Sequence, residues 1–327
     1  MQKSMTLAAI PASIAALPKA ELHVHLEGSM QPVTVTKIAA RHGVQVTEDE
    51  VRRRYAYRDF VEFIEVFKWV TSFLREPLDY AVIVRDFAAA LLVEKVTYAE
   101  VTLSIGVMQL RGQDPQANFE AILEAAAEFE PRGLRMRWVW DAVRQFGVTA
   151  AMEVVEAAGR CHSEKIVAFG IGGDERSIPA KQFREVYDRA EDLGMHRLIH
   201  AGEVGGPENI REAIEHVKAE RIGHGIAAIN DPALMDFLAE RQIPLEVCLA
   251  SNICTGALAV QLGGEPTILE HPLPKLFRHG IPIVLSTDDP TMFHTTLDGE
   301  YENAARMGLS EKELRRLVAM SFAHAFK

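Results

Sequence analysis

Eight short apolar runs rich in β-branched residues recur along this 327-residue chain, and longer stretches with helical periodicity lie between most of them. Strands that alternate with helices are typical of βαβ units and a parallel sheet. The runs cover residues 20–28, 96–105, 136–143, 166–173, 196–203, 221–226, 244–252 and 281–290. Eight such units predict an α/β fold closed into a (β/α)8 TIM barrel, with an open doubly wound sheet as the alternative.

The interval between the first two runs, residues 29–95, is too long for a single crossover. It predicts a helical insertion after strand 1, including a helix over residues 57–75 whose apolar residues are spaced by three and four. Those residues are Phe60, Phe63, Ile64, Phe67 and Leu74. Their apolar face can pack into the core or cover the mouth of a site. No Gly/Ser-rich linker or internal repeat is visible, so we predict one domain over residues 1–327.

The chain is acidic, with 46 acidic against 35 basic residues and a formal net charge of −11. Such a charge disfavours nucleic acid and anionic membranes, so a small molecule is the expected partner. Three cysteines do not make a disulfide framework and favour a reducing compartment. No apolar run reaches the length of a membrane span, and residues 1–17 predict a leading helix rather than a signal peptide. We therefore predict a cytoplasmic protein.

His23 and His25 stand at the end of the first predicted strand, where alternation directs both imidazoles to the same side. A single pair of this kind is often a structural pair of buried histidines. Its position favours a metal site, because barrel enzymes place their chemistry at the carboxyl ends of the strands.

Titratable residues recur at the ends of other predicted strands. They are Asp174 and Glu175 after strand 4, His200 and Glu203 after strand 5, His224 after strand 6, and Asp288 and Asp289 after strand 8. With the first strand, five of the eight strand ends carry such a group. Because these ends meet at one rim of a barrel, the set predicts a functional site there.

Three imidazoles and one carboxylate suit Zn²⁺, which keeps an open position for water in catalytic sites. The predicted ligands of one zinc ion are His23, His25, His200 and Asp288, although iron or another first-row ion fits the same set. Glu203 follows a ligand by three residues, which is a suitable place for a general acid. Its structural alternative is a charge that stabilises the start of the next helix.

Taken together, these motifs resemble the adenosine deaminase family of the amidohydrolase superfamily. They occur in the family's order and span nearly the whole chain. The matching segments are His23-Val24-His25-Leu26-Glu27-Gly28, Gly172-Gly173-Asp174-Glu175, His200-Ala201-Gly202-Glu203, Arg221-Ile222-Gly223-His224-Gly225 and Ser286-Thr287-Asp288-Asp289-Pro290.

The resemblance implies a mononuclear zinc site and the hydrolytic loss of ammonia from C6 of a purine. It implies the zinc ligands named above, and it assigns to Glu203 the protonation of purine N1. It further implies that His224 and Asp289 hold and deprotonate the attacking water. Asp289 can also contact N7.

The resemblance also indicates how the purine is held. The backbone of Gly173 would meet N3, and Phe63, Ile64 and Phe67 match a short apolar helix that covers the purine in the family. Glu27 stands where adenosine-specific members have an Asp that contacts the ribose 5′-hydroxyl. Strand 2 ends in Thr102-Leu103-Ser104-Ile105-Gly106, which differs from the Arg-Tyr-Ser-Pro of those members. Both differences concern the 5′ end of the substrate.

Relatives that act on free adenine carry Ser-Ser-Glu after strand 4 and Asp-His-Gly after strand 6. This chain has Gly-Asp-Glu and Gly-His-Gly, which favours a nucleoside. The predicted reaction is therefore deamination of adenosine or 2′-deoxyadenosine to the inosine product. A 5′-modified adenosine such as aminodeoxyfutalosine is the alternative substrate, and free adenine is less favoured.

Other classes of protein fit the residues less well. Binuclear amidohydrolases commonly use a carboxylated lysine on strand 4, and no lysine lies between positions 166 and 175. The cytidine-type zinc deaminases need His-x-Glu together with Pro-Cys-x-x-Cys, and no Pro-Cys-x-x-Cys occurs here. A purine-binding protein on a decayed barrel should have lost some of the metal and proton-transfer residues, whereas all of them are present.

Overall fold

Eight parallel strands pair in chain order around a barrel in the computed structural model, which describes residues 10–57 and 59–326. They are β1 Lys19–His25, β2 Val96–Leu103, β3 Arg135–Val143, β4 Ile166–Gly172, β5 His196–Ala201, β6 Arg221–His224, β7 Leu245–Val247 and β8 Ile283–Leu285. The barrel closes where the amide of His25 donates to the carbonyl of Asp288 at 2.7 Å and the amide of Asp288 donates to the carbonyl of His23 at 3.0 Å. The predicted (β/α)8 barrel is confirmed.

Helices surround the strands. Within the described ranges they are α1 Ala12–Ala15, α2 Pro32–Arg41, α3 Glu48–Arg54, α4 Phe60–Thr71, α5 Pro77–Val93, α6 Ile105–Leu110, α7 Pro115–Ala127, α8 Gly147–Cys161, α9 Arg184–Asp192, α10 Pro207–His216, α11 Pro232–Arg241, α12 Leu249–Cys254, α13 Ala257–Leu262, α14 Leu273–Arg278, α15 Leu297–Arg306 and α16 Glu311–Ala323. Short 3-10 turns cover Glu27–Ser29, Glu130–Arg132, Arg144–Phe146, Ala180–Phe183, Ile226–Asn230 and Ile268–Glu270.

The helical insertion after β1 is confirmed, with one refinement. Helices α2 to α4 form the insertion, whereas α5 packs against β2 and α7 as the barrel's own crossover helix. The helix expected over residues 57–75 is shorter, because the side chain of Asp59 accepts from the amide of Glu62 at 2.9 Å and so starts α4 at Phe60. Of the leading helix expected over residues 1–17, α1 is present, and residues 1–9 lie outside the described ranges.

Several strands end earlier than their apolar runs predicted. In the run 244–252, Leu249 begins α12 instead of extending β7. After β8, Asp288 adopts a φ of 65°, in the left-handed region, so β8 does not continue through it. A short apolar run does not show where a strand ends, because the buried loop or helix that follows the strand is apolar as well. Asp174, Glu175, Glu203, Asp288 and Asp289 therefore lie in the loops just beyond the strands. The four histidines lie near the carboxyl ends of β1, β5 and β6.

Side chains of the strands pack on both sides of the barrel wall, against the helices outside and against one another inside. Trp138 and Trp140 of β3 are fully buried and meet the ring of Phe119 edge-on, at 6.2 and 5.3 Å. Because side chains alternate along a strand, Asp141 points to the opposite, inner side. Phe326 packs with Val139 and neighbouring strand residues and stacks on His196 at 4.0 Å, which leaves the carboxyl ends of the strands for the site.

Two predictions concern the environment of the chain. No helix within the described ranges is long and apolar enough to cross a membrane. Cys161, Cys248 and Cys254 are free thiols. The single domain and the cytoplasmic location stay predictions.

Candidate active site

Histidines and a carboxylate converge where the strands β1, β5, β6 and β8 end. The ligand atoms of His23, His200, His224 and Asp288 all lie within 4.8 Å of one another. His25 lies outside this tight group, but its Nε2 is 3.3 Å from Oδ1 of Asp288. The structure thus gathers the four predicted zinc ligands and adds His224 as a fifth neighbour.

The ring of His23 shows that this cluster fits a cation. Its Nδ1 lies 2.7 Å from Oε2 of the buried Glu246, so the neutral ring donates a hydrogen bond from Nδ1 and holds its lone pair on Nε2. That Nε2 is buried without a hydrogen-bond partner among the described residues, 3.6 Å from Oδ1 of Asp288. A buried unpartnered nitrogen beside a carboxylate and further imidazoles is the donor set that Zn²⁺ prefers.

The backbone at the cluster is strained at two positions. His224 and Asp288 adopt φ angles of 62° and 65°, in the left-handed region that is unfavourable for residues other than glycine. Each such residue costs of order 1–3 kcal/mol and persists only where its surroundings hold it. Asp288 is held in part by Ser251, whose hydroxyl donates to Oδ2 at 2.7 Å.

Glu203 lies beside the cluster. Its Oε2 is 3.7 Å from Nε2 of His224, and Thr255 donates to its Oε1 at 3.3 Å. Burial, together with the nearby carboxylates of Asp288 and Glu175, raises the pKa of Glu203 to about 8. The carboxyl therefore carries a proton at neutral pH, as a proton donor requires.

Glu175 acts on the loop that carries Glu203. Its carboxylate accepts from the amides of Gly202 at 2.7 Å, Val204 at 2.5 Å and Gly205 at 2.5 Å. The sequence marked Glu175 only as a titratable group at a strand end. In the structure it is a positioning residue, because it fixes the backbone on both sides of Glu203.

A cavity of about 360 Å³ opens above the cluster. Phe63, Ile64 and Phe67 of α4 line it, and the ring of Phe63 packs against Phe293 at 5.0 Å. Gly173 lines it as well, with a φ of 95° and a backbone so close to Gln145 that an added Cβ would lie 2.2 Å from Oε1. The predicted purine-covering helix and the predicted Gly173 contact thus belong to one cavity.

Asp289 also lines the cavity. Its Oδ1 is buried and unpartnered in the part of the chain that the structure describes. A Cβ on Gly28 would lie 1.8 Å from this oxygen, so only glycine allows the β1 loop to pass so close. Burial and the adjacent Asp288 raise the pKa of Asp289 well above its ordinary value.

Glu27 lies behind the cavity wall. Its Oε1 accepts from the amide of Ser104, a lining residue, at 3.0 Å. Its Oε2 is buried and meets no partner within residues 10–57 and 59–326. Burial raises the pKa of Glu27 to about 7. A direct contact between Glu27 and a substrate stays a prediction.

Sequence reasoning missed several polar residues of the site. Asp141 lines the cavity, and burial raises the pKa of its carboxyl to about 8. It could have been found as the lone acid in the apolar run Trp138-Val139-Trp140-Asp141-Ala142-Val143. Arg144 was also missed, and its Nη2 donates to the carbonyl of His200 at 2.7 Å. Asn252 lies against His224, with 3.0 Å between Nδ2 and Nδ1.

Known proteins resemble this chain along most of its length. The model of the family described as adenosine deaminase matches residues 18–327. The aminodeoxyfutalosine deaminase of Streptomyces coelicolor is 40% identical over 315 residues, covering 94% of this chain and 79% of that protein. The adenine deaminase of Chelativorans sp. is 32% identical, covering 95% of this chain and 94% of that protein.

A solved structure agrees with these matches. The crystal structure of adenine deaminase from Arthrobacter aurescens has a TM-score of 0.89 and 27% identity, covering 95% of this chain and 94% of that chain. The residues that the family model matches include the whole histidine and carboxylate cluster. The chain therefore belongs to the adenosine deaminase family, whose metal-dependent hydrolases act on a cyclic amidine carbon–nitrogen bond.

Proposed function

We propose that this chain removes the 6-amino group of a 5′-modified adenine nucleoside, such as aminodeoxyfutalosine, by zinc-dependent hydrolysis. The observation that carries the proposal is the buried carboxyl of Glu203 beside the His/Asp cluster, at one cavity. Water attacks C6, a C–O bond forms, the C–N bond breaks, and ammonia leaves as the 6-amino group becomes a 6-oxo group.

The metal would be held by His23, His25, His200 and Asp288, with Glu246 fixing the ring of His23 from behind. Bound there, a zinc ion would lower the pKa of a water molecule to about 7, which would make a nucleophile available at neutral pH. All other steps fall to the side chains around it.

Two carboxyls would act on the purine ring. Glu203 is protonated at neutral pH and would donate to N1, which makes C6 electrophilic. Asp289 also has a raised pKa, so in its protonated form it can donate to an acceptor such as N7. His224, with Nε2 3.7 Å from Glu203 and 3.8 Å from Asp288, would contact the attacking water.

The cavity supports a nucleoside with an enlarged 5′ group. Beyond the predicted purine contacts, its wall includes the apolar side chains Phe60, Val107 and Phe146, together with Lys68, whose ammonium pairs with Glu65 at 2.7 Å. Three apolar side chains suit a 5′ substituent with apolar surface better than a bare hydroxyl. The 40% identity to an aminodeoxyfutalosine deaminase supports the same choice.

Adenosine and 2′-deoxyadenosine, which the sequence favoured, are the second candidates. Free adenine is the third candidate substrate, because an adenine deaminase is 32% identical to this chain. Against adenine stand the segments Gly173-Asp174-Glu175 and Gly223-His224-Gly225, which differ from those of the adenine-specific members.

The proposal is tested by an ultraviolet assay of zinc-loaded protein with aminodeoxyfutalosine, adenosine, 2′-deoxyadenosine and adenine in parallel. We expect kcat/KM to be highest for aminodeoxyfutalosine and measurable for the two simple nucleosides. Glu203→Gln protein with equal zinc content is the control for contaminating deaminase. Turnover of adenine without turnover of any nucleoside would contradict the proposal.

A further inference from the structure

A row of buried polar groups runs from His224 away from the cavity. Nδ1 of His224 lies 3.0 Å from Nδ2 of Asn252, and Oδ1 of Asn252 lies 3.1 Å from Nε2 of His271. The row ends where the amide of Leu273 donates to Nδ1 of His271 at 3.1 Å. Asn252 and His271 are 0% and 3% exposed, so water does not compete for these contacts.

The backbone amide of Leu273, at the far end of the row, determines which group donates in every hydrogen bond of the row. A backbone amide can only donate, so Nδ1 of His271 holds a lone pair and its Nε2 carries the proton. That Nε2–H must donate to Oδ1 of Asn252, which turns the amide NH2 toward His224. This conclusion does not depend on telling the oxygen of the amide from its nitrogen.

The last step concerns His224 itself. Because the NH2 of Asn252 donates to Nδ1, that nitrogen of His224 holds a lone pair. The ring proton of neutral His224 then sits on Nε2, the atom that faces Glu203 and Asp288. A histidine in this tautomer presents a donor to the cavity.

We propose that Asn252 and His271 are positioning residues that hold His224 in the Nε2–H tautomer, so that it donates a hydrogen bond to the attacking water instead of ligating the metal. The functional half of this statement rests on the function proposed above, whereas the tautomer does not. An Nε2 that carries a proton has no lone pair for a metal. His224 therefore belongs to the tight cluster without being a ligand, and the fourth ligand is His25.

The same assignment changes the role given to His224 by the family resemblance. In the resting state its Nε2 cannot accept a proton from water, because that nitrogen already holds one. Its contribution is to orient the water oxygen toward C6. Removal of the water's proton then falls to a carboxylate rather than to an imidazole, and Oδ2 of Asp288 lies 3.8 Å from Nε2 of His224.

The tautomer can be measured directly by long-range ¹H–¹⁵N correlation spectra of protein labelled with ¹⁵N-histidine, in metal-free and zinc-loaded forms. The signals are assigned by comparison with His224→Gln and His271→Gln proteins. We expect unprotonated Nδ1 and protonated Nε2 in both His224 and His271. A protonated Nδ1 in His224 of the native protein, or a zinc-bound Nε2, would overturn the proposal.

Two pairs of variants test the positioning role. In Asn252→Asp a carboxylate of nearly the same shape can only accept, so the His224 proton should move to Nδ1 and kcat should fall by about 100-fold at little-changed KM. His271→Gln can still donate to Asn252 and should keep the native tautomer of His224. His271→Glu cannot donate to Asn252 when it is ionised, so His224 should lose its native tautomer. We expect the kcat of this variant to be at least about 10-fold below that of His271→Gln.

Equal thermal unfolding temperatures and zinc contents separate these effects from loss of fold. If Asn252→Asp does not fold, the spectra of the native protein and the comparison of His271→Gln with His271→Glu still test the proposal. Native tautomers in Asn252→Asp, or equal kcat for the two His271 variants, would contradict the positioning role. If no nucleoside is deaminated while the native tautomers are as expected, the proposed function fails and the tautomer assignment stands.

Discussion

Nδ1 of His23 lies 2.7 Å from the buried carboxylate of Glu246. Glu246 is itself held by Arg221, whose Nε donates to Oε1 at 2.6 Å. The pair fixes the His23 ring with its Nε2 toward Asp288, 3.6 Å from Oδ1. The His/Asp cluster is thus supported from beneath by two residues that are not among those lining the cavity.

Glu246→Gln should therefore weaken zinc binding. A neutral amide is a poorer acceptor for the His23 proton, and loss of such support typically lowers metal affinity by about 10–100-fold. Competition with a chelator of known zinc affinity measures the change. The matched control is Glu220→Gln, which alters a similar contact of 2.8 Å with His196 at the opposite end of the barrel. Equal zinc affinities in the two variants would contradict the role of Glu246.

The pH dependence of the reaction should follow Glu203. Its pKa is raised from an ordinary 4.5 to about 8, so the proton is present below about pH 8 and is lost above it. Because the protonated form donates to N1, kcat/KM should decline on the alkaline side with an apparent pKa near 8. Glu203→Gln should retain zinc and lose about 100-fold or more in kcat. A flat alkaline profile, or near-native turnover by Glu203→Gln, would remove Glu203 from the mechanism.

Glu175→Gln should disturb the reaction without touching the substrate. Glutamine offers one carbonyl oxygen where the carboxylate accepts from three amides, so buried donors lose their partner. We expect a loss of about 1–3 kcal/mol in stability and a fall in kcat as Glu203 loses its fixed place. Asp174→Asn, which changes the neighbouring exposed contact with Arg176, is the control. Denaturant unfolding and kcat at saturating substrate are compared for the two variants. Equal stability and equal kcat in both would contradict the role given to Glu175.

Gly173→Ala should raise KM. The added Cβ would approach Oε1 of Gln145 to 2.2 Å, and a φ of 95° is unfavourable for alanine. Gly194→Ala separates the two causes, because Gly194 also has a positive φ of 80° but nothing in the described ranges lies within 4 Å of its Cβ. If both variants lose the same stability and neither changes KM, Gly173 is not at the substrate.

The eight strands and the cluster could be predicted from sequence because each rests on local signals. Alternation placed His23 and His25 on one side, and the carboxyl ends of the strands brought His200 and Asp288 to the same rim. Glu203 was found for the same reason. The element ends were less accurate, because Leu249 is apolar both in an extended strand and in the helix that it actually begins.

The supporting residues could not be predicted in the same way. His271 lies 19 positions from Asn252, in a turn outside every strand, and only the closed barrel brings both behind His224. Glu246 belongs to no recognisable sequence motif, because its role depends on the tautomer of His23, which lies 223 positions away in the chain. The contact between Glu27 and the amide of Ser104 could not be predicted either, because it depends on how the loop after β2 packs against the loop after β1.

The measurement that tests the central claim most directly is zinc titration of metal-stripped protein, with deamination of aminodeoxyfutalosine followed at each point. We expect no turnover without metal and a rise to a plateau at one zinc per chain. The Asp288→Asn protein should not reach that plateau, because it lacks the carboxylate on which the histidines converge. Full turnover by protein without detectable metal, or a plateau at two zinc ions per chain, would contradict the account.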